Sequence, residues 1–530
     1  MRHPVSDLNI WVTVWTSVVV LVAPAAYAGS GTVININTQT SSALAPGLSG
    51  FNAPQMRNGV EYYDPKFLGA VAPLKAGCLR FPSGTASMDF DWNAGHVNAS
   101  WLASLTTGNP ALVPSGTVNI LNTSQELTQA KGGLWLSDFA TFANTLGSAA
   151  IMCVNGYTDN NPGSTALFAQ AAQSYGLNVI EWELANEPYL YPLIFPTPGI
   201  PNQPSAAAYA SAMNKPYYDE LISVAPTATV GLFDVGLFPG IAGDYATWDT
   251  DMSTYAPRYW NATSVHVYPI QVLTPIATTM QTLNGILAHG SVDYINSYLL
   301  PLIGAGTPVY ITEFNCCTPD VFQFLSYIYN GVFLVEYIMR MSTVPNVKAI
   351  AVNSLYTDNY DYHGVIQSVN DFETYLLGQV AANPNYSTNT ATNPNTQYQF
   401  YTSAPELALE VANPVINSSN YIWPTTVVGG PTVPIIGYDG NPIQAIYAQA
   451  YKGINSSHNL LITNKAAASL NVGIQINGVK LTSTLTVTSV ANSSPTAANT
   501  ALLPNTVQIQ TTTAVSPLVI GPNSVTSVTW

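Results

Sequence analysis

The chain has 530 residues, 47% of them hydrophobic, which is enough for two cores and too much for one small domain. Only 8% of residues are charged, with 28 acidic against 13 basic side chains and a formal net charge of -15. So acidic a chain, with no basic run, is a poor nucleic-acid binder and a poor ligand for anionic membranes, and its surface must be covered by Asn, Thr, Ser, Gln and Tyr.

Residues 1–28 read as a secretory signal: Arg2 and His3 near the start, an apolar stretch from Ile10 to Val22, and Ala26-Tyr27-Ala28 ahead of Gly29 as a small-x-small cleavage site. That apolar run is short for a bilayer span. The chain is therefore expected to be secreted or periplasmic, with no membrane insertion once the signal is removed. Within residues 29–45, the alternation of Val33, Ile34 and Ile36 predicts a strand that joins a distal sheet.

From residue 46 to 415 short apolar segments alternate with longer helical ones, the pattern of β/α units. Strands are predicted over residues 77–81, 150–154, 179–184, 229–233, 264–268, 308–312 and 347–352, with an eighth near 48–51. Helices are predicted over 134–146, 166–175, 206–224 and 322–341. The expected fold is an α/β (β/α)8 TIM barrel. Residues 416–530 differ in kind: β-prone runs at 443–451, 459–464, 468–476, 483–490 and 507–513, broken by turn residues, predict a C-terminal β-sandwich domain. The polar stretch 383–399 reads as a surface loop or insertion.

Two acidic islands carry the chemistry. Glu187 ends Ile180-Glu181-Trp182-Glu183-Leu184-Ala185-Asn186-Glu187, ahead of Pro188, and Glu313 follows the apolar run Pro308-Val309-Tyr310-Ile311. Each glutamate comes at the carboxyl end of a strand, where catalytic side chains of a β/α barrel converge. Two carboxyls facing one another across a glycosidic bond are what glycoside hydrolysis requires, one protonating the leaving oxygen and the other attacking or stabilising the anomeric carbon. Asn186 offers an amide to the sugar hydroxyl beside the reacting carbon. Glu181 and Glu183 share strand parity with Glu187 and are rivals for the acid role; Glu187 is preferred for its strand-end position, the other two being expected to pair inside the barrel.

Trp182-Glu183-Leu184-Ala185-Asn186-Glu187-Pro188 resembles the acid/base strand of clan A retaining glycoside hydrolases, and is most similar to that of the heparanase and β-glucuronidase family. Leu79-Arg80-Phe81 with Gly84-Thr85 and Asp89-Phe90 resembles that family's second-strand segment, and His266 and Tyr268 match the sixth-strand His-x-Tyr of the clan. The resemblance implies Glu187 as general acid/base, Glu313 as nucleophile, Arg80 as the cation that keeps Glu313 ionised, and Tyr268 as a hydrogen-bond partner of the nucleophile. It also implies a barrel joined to a sandwich, and a β-glucuronide as substrate. One segment departs from it: where those glucuronidases carry a tyrosine-and-glycine loop for the uronate, this chain has Phe314-Asn315-Cys316-Cys317-Thr318-Pro319. Thr312-Glu313-Phe314-Asn315 and Arg80-Phe81-Pro82-Ser83-Gly84 also resemble segments of clan A α-L-arabinofuranosidases, so an α-L-arabinofuranoside, a β-xyloside or a β-glucoside is the alternative. A non-catalytic carbohydrate-binding protein on a barrel scaffold is the rival from another class.

Loop aromatics, Trp92, Tyr157, Tyr189, Tyr191, Trp248, Tyr356, Tyr360 and Tyr362, are candidate walls for a sugar ring. Tyr356 and His363 are preferred as substrate contacts because they follow the presumed eighth strand. Cys78, Cys153, Cys316 and Cys317 permit three disulfide pairings in an oxidising compartment, including a vicinal Cys316–Cys317 bridge. No Cys/His set has zinc spacing. Neither a metal nor an organic cofactor is expected, and the expected partner is a glycoside or polysaccharide.

Overall fold

The computed structural model of the protein describes residues 31–53, 62, 64–88, 90–97, 135–156, 161–190, 205–236, 247–270, 274–317, 323–356, 365–368, 400–499 and 503–530. The signal read at 1–28, the polar stretch 383–399, His363, Tyr157, Tyr191, Tyr360 and Tyr362 lie outside them. Among the described residues no helix is long and apolar enough to cross a membrane.

Eight strands close into a barrel in chain order: Ser49–Asn52, Cys78–Phe81, Ala149–Val154, Val179–Leu184, Val230–Phe233, Ala262–Val267, Val309–Phe314 and Val347–Val352. All neighbouring pairs are parallel. Parallel strands covered by helices are buried on both faces, which is why their sequences run apolar without alternation. The third strand, AAIMCV, is buried at every position. The first strand carries almost no β signal because of Gly50: a Cβ there would meet the Cys78 carbonyl at 2.0 Å. Only glycine lets the first two strands approach so closely.

Beyond the barrel lie a five-stranded and a seven-stranded sheet. Thr32–Ile36 pairs in parallel with Leu470–Ile476 and antiparallel with Thr425–Val428, so the amino-terminal strand sits inside the smaller sheet. The facing sides of the two sheets bury Ile34, Ile36, Trp423, Leu460, Ile462, Val472, Ile474 and Val528 against one another, the packing of a β-sandwich.

The barrel helix Ile328–Met341 is buried at every position except Arg340. A helix buried all round is one covered on both sides: it packs on helix Ala404–Asn417, where Gly331 brings it against Ala408 and Pro405, and its core cluster continues into Tyr451, Leu461, Val490 and Val525 of the larger sheet. One charged knot spans this contact. Glu336 accepts hydrogen bonds from Lys465 Nζ at 2.5 Å, Thr463 Oγ1 at 2.7 Å and Arg340 Nη2 at 2.8 Å. Burial pushes the Glu336 carboxyl up, but Lys465 and Arg340 outweigh it and hold the group below the usual range.

Candidate active site

The site stands on the carboxyl ends of the strands. Backbone strain gathers there: Ser83, Ala185 and Glu187 have φ of 92°, 66° and 40°, conformations that cost a non-glycine residue free energy and persist where the surroundings impose them. In the sixth strand the register slips between Val265 and His266, so that His266 lies opposite Glu313 of the seventh. A bulge of this kind re-aims a side chain.

Arg80 is the hub, fully buried at the end of the second strand. Its Nη1 donates to Glu313 Oε1 at 2.7 Å and to Asn52 Oδ1 at 3.0 Å, its Nη2 to Asn186 Oδ1 at 2.7 Å, and its Nε to Glu183 Oε2 at 2.5 Å. The second oxygen of Glu313 accepts the Tyr268 hydroxyl at 2.6 Å, and Asn353 Nδ2 donates to that hydroxyl at 2.7 Å. Burial raises the Glu313 carboxyl, yet His266 and Arg80 more than offset it and hold the group below the ordinary range. Tyr268, buried beside Glu313, is pushed well up and stays a donor.

His266 Nδ1 lies 2.7 Å from Glu187 Oε1 and 3.7 Å from Glu313 Oε2. Burial favours the neutral ring, but Glu313 and Glu187 prevail and raise it to about 9, so His266 is a cation at neutral pH. One carboxylate oxygen each of Glu187 and Glu313 and one His266 nitrogen all lie within 4.8 Å of one another. Both glutamates retain 7% exposure, while Arg80, Asn186 and His266 have none. A cavity of about 520 Å³ sits at the other end of the barrel, lined by Gly47, Lys75, Ala149, Ile180 and Asn417 among others, and among the described residues no carboxylate lines it.

The structure thus gathers six of the eight residues expected from the sequence: Glu187, Glu313, Asn186, Arg80, His266 and Tyr268. Tyr356 is a correction: it has no exposure, and its ring packs edge-on to Phe67 and Phe400 in the core. Trp248 and Tyr189 are likewise buried, 5.9 Å apart in an edge contact, and Trp92 stacks on Phe168. Of the alternatives left open for the cysteines, the structure has the unbridged one: all four are buried thiols, with the Cys316 and Cys317 sulfurs 3.2 Å apart. Reading the sequence missed Asn353, Asn52 and Thr312. Their one signal was position, since each is a polar residue within the last three positions of a barrel strand or just past its end.

Gly84 sits against the nucleophile candidate. A Cβ there would lie 1.9 Å from Glu313 Oε1. Gly84→Ala therefore displaces that carboxylate, and turnover is expected to fall about 100-fold, the usual scale for a misplacement of one ångström. Steady-state rates beside an unchanged melting temperature would confirm the local effect.

No family model matches the sequence, and no curated protein matches it. Solved structures do match in fold, clan A glycoside hydrolases among them. An arabinofuranosidase superposes with a TM-score of 0.65 at 15% identity, over 94% of this chain and 99% of its own. The α-L-arabinofuranosidase of Thermotoga maritima, in its arabinose complex, gives 0.63 at 15% identity over 94% and 99%. A 4-O-α-L-rhamnosyl-β-D-glucuronidase from Fusarium oxysporum 12S gives 0.56 at 14% identity over 94% and 100%. At these identities the likeness is one of fold.

Proposed function

We propose that the protein is a retaining glycoside hydrolase acting on neutral glycosides, α-L-arabinofuranosides first among them. The observation that carries this reading is the approach of the Glu187 and Glu313 oxygens to within 4.8 Å. That is the approach of the nearest oxygens, and it favours retaining enzymes, whose two carboxyl groups stand about 5–5.5 Å apart, over inverting ones, which hold them about 6.5–9.5 Å apart to leave room for a water.

Each residue has a task in a double displacement. The Glu313 carboxylate, ionised and held at both oxygens by Arg80 and Tyr268, attacks the anomeric carbon and forms a glycosyl ester. Glu187 passes its proton to the leaving oxygen, then as a carboxylate takes a proton from the water that cleaves the ester. His266 orients Glu187 through Oε1, leaving Oε2 for proton transfer. Asn186, its Oδ1 held by Arg80 and one N–H donated to Met88 Sδ, offers its other N–H to a sugar hydroxyl.

Charge favours a neutral sugar over the β-glucuronide suggested by the fourth-strand motif. Among the described residues the cations of the site are Arg80 and His266, and both already face carboxylates of the protein. Asn315, in the segment that departs from the glucuronidase pattern, is engaged with the Asn353 carbonyl at 2.6 Å and Asn330 at 3.2 Å. The fold neighbours named as arabinofuranosidases agree with this choice. Export through residues 1–28 would place the activity outside the cytoplasm, where polysaccharide side chains are found. A panel of aryl glycosides tests the reading: hydrolysis of the α-L-arabinofuranoside is expected, and hydrolysis of the glucuronide alone would overturn the choice of a neutral substrate.

A further inference from the structure

We propose that Glu183 is a positioning residue of this site: its buried carboxylate, one tier below the reacting pair, is the counter-charge that fixes Arg80 and His266 for Glu313, Glu187 and Asn186. The proposal rests on the glycosidase reading above and assigns a task to a residue which that mechanism does not use.

Glu183 has no exposure and lies on the fourth strand, below Glu187 in the barrel. Its Oε2 accepts the Arg80 Nε–H at 2.5 Å, which locks the plane of the guanidinium and so aims Nη1 at Glu313 and Nη2 at Asn186. Its Oε1 accepts the hydroxyl of Thr312, the residue immediately before Glu313, at 2.7 Å. That same oxygen lies 3.9 Å from His266 Nε2, a buried nitrogen with no hydrogen-bond partner. One carboxylate therefore ties the fourth strand to the second, sixth and seventh, and each tie reaches a side chain that touches Glu313 or precedes it.

The charges around it support the same conclusion. Facing Glu183 are Arg80 from the second strand, Cys153 from the third, Glu181 on its own strand and His266 from the sixth. Burial pushes the Cys153 thiol well up, and burial together with Glu183 does the same to Glu181, whose Oε1 takes the Ser264 hydroxyl at 2.7 Å. Both are neutral. Glu183 itself is pushed up by burial but brought below the usual range by Arg80 and His266. Glu183 thus supplies one of the buried negative charges that face Arg80 and His266, and removing it takes that charge away from both.

Glu183→Gln keeps the shape and an acceptor oxygen but loses the charge, and two readings follow from it. In a histidine NMR titration, with the His266 signal assigned by its loss in His266→Asn, the midpoint is expected to fall by about one pH unit or more. On an aryl glycoside, kcat is expected to fall about 10- to 100-fold, with the alkaline limb of the pH profile moved to lower pH. Thr312→Val, which removes a hydrogen bond to the same carboxylate without altering its charge, is expected to leave that limb in place. Should Glu183→Gln fail to fold, Glu183→Asp carries the test: a lowered kcat with the alkaline limb retained supports the proposal, and unchanged kcat overturns it. An unchanged His266 midpoint in Glu183→Gln overturns it as well. The titration needs no turnover, so a wild-type protein inactive on every glycoside would sink the glycosidase reading while still deciding this one.

Discussion

Glu313→Gln is expected to reduce turnover of an activated aryl glycoside by about 10⁴-fold or more while leaving the protein folded, because the amide is not a nucleophile. Its oxygen can still accept from Arg80 or Tyr268, so the network of hydrogen bonds largely survives. The matching change at Glu187 behaves differently. Glu187→Gln removes the proton donor, so substrates with poor leaving groups should lose about 10²- to 10⁴-fold, whereas a dinitrophenyl glycoside, whose leaving group needs no proton, should lose little in the first step. Opposite leaving-group sensitivities in the two variants would separate nucleophile from acid. A Glu313→Gln enzyme that kept its rate would remove the nucleophile from the scheme.

Arg80→Met is expected to cost about 3–5 kcal/mol of stability as well as activity, since it leaves buried carboxylates without their partner. Arg80 has no exposure and meets Glu183 and Glu313 at 2.5 and 2.7 Å. Both carboxyls are held below their usual range, so what they contribute to stability is present above the pKa of the unfolded chain and is lost as pH falls through the folded one. The gap in melting temperature between Arg80→Met and wild type should therefore narrow as pH falls toward that range. Arg80→Lys is not expected to restore the protein, because one ammonium cannot reproduce a fork that reaches Glu183, Asn52, Glu313 and Asn186 together. A gap that stayed constant with pH would mean that Arg80 acts by packing alone.

What could be read in the sequence was what local pattern encodes. Apolar strand segments ending in Asn186-Glu187 and Thr312-Glu313 marked the barrel rim, and Arg80, Glu187, His266 and Glu313 follow one another along the chain on the second, fourth, sixth and seventh strands. What escaped was set by tertiary contact. Ser49–Asn52 has weak β propensity because its neighbour's backbone requires glycine at position 50. Asn353 looks like an ordinary loop residue until Tyr268, 85 positions away, comes within 2.7 Å. Tyr356, equally plausible as a sugar platform, was drawn inward by Phe67 and Phe400. The Glu336–Lys465 knot joins residues 129 positions apart, and no spacing rule announces it.

The geometry at the barrel mouth makes a stereochemical commitment. Hydrolysis of an aryl α-L-arabinofuranoside followed by proton NMR, with the anomeric signal of the first-formed sugar recorded before mutarotation, tests it most directly. The α anomer, the configuration of the substrate, is expected, because two carboxyls whose oxygens approach within 4.8 Å leave the backside of the sugar to Glu313 and not to water. First appearance of the β anomer would contradict it.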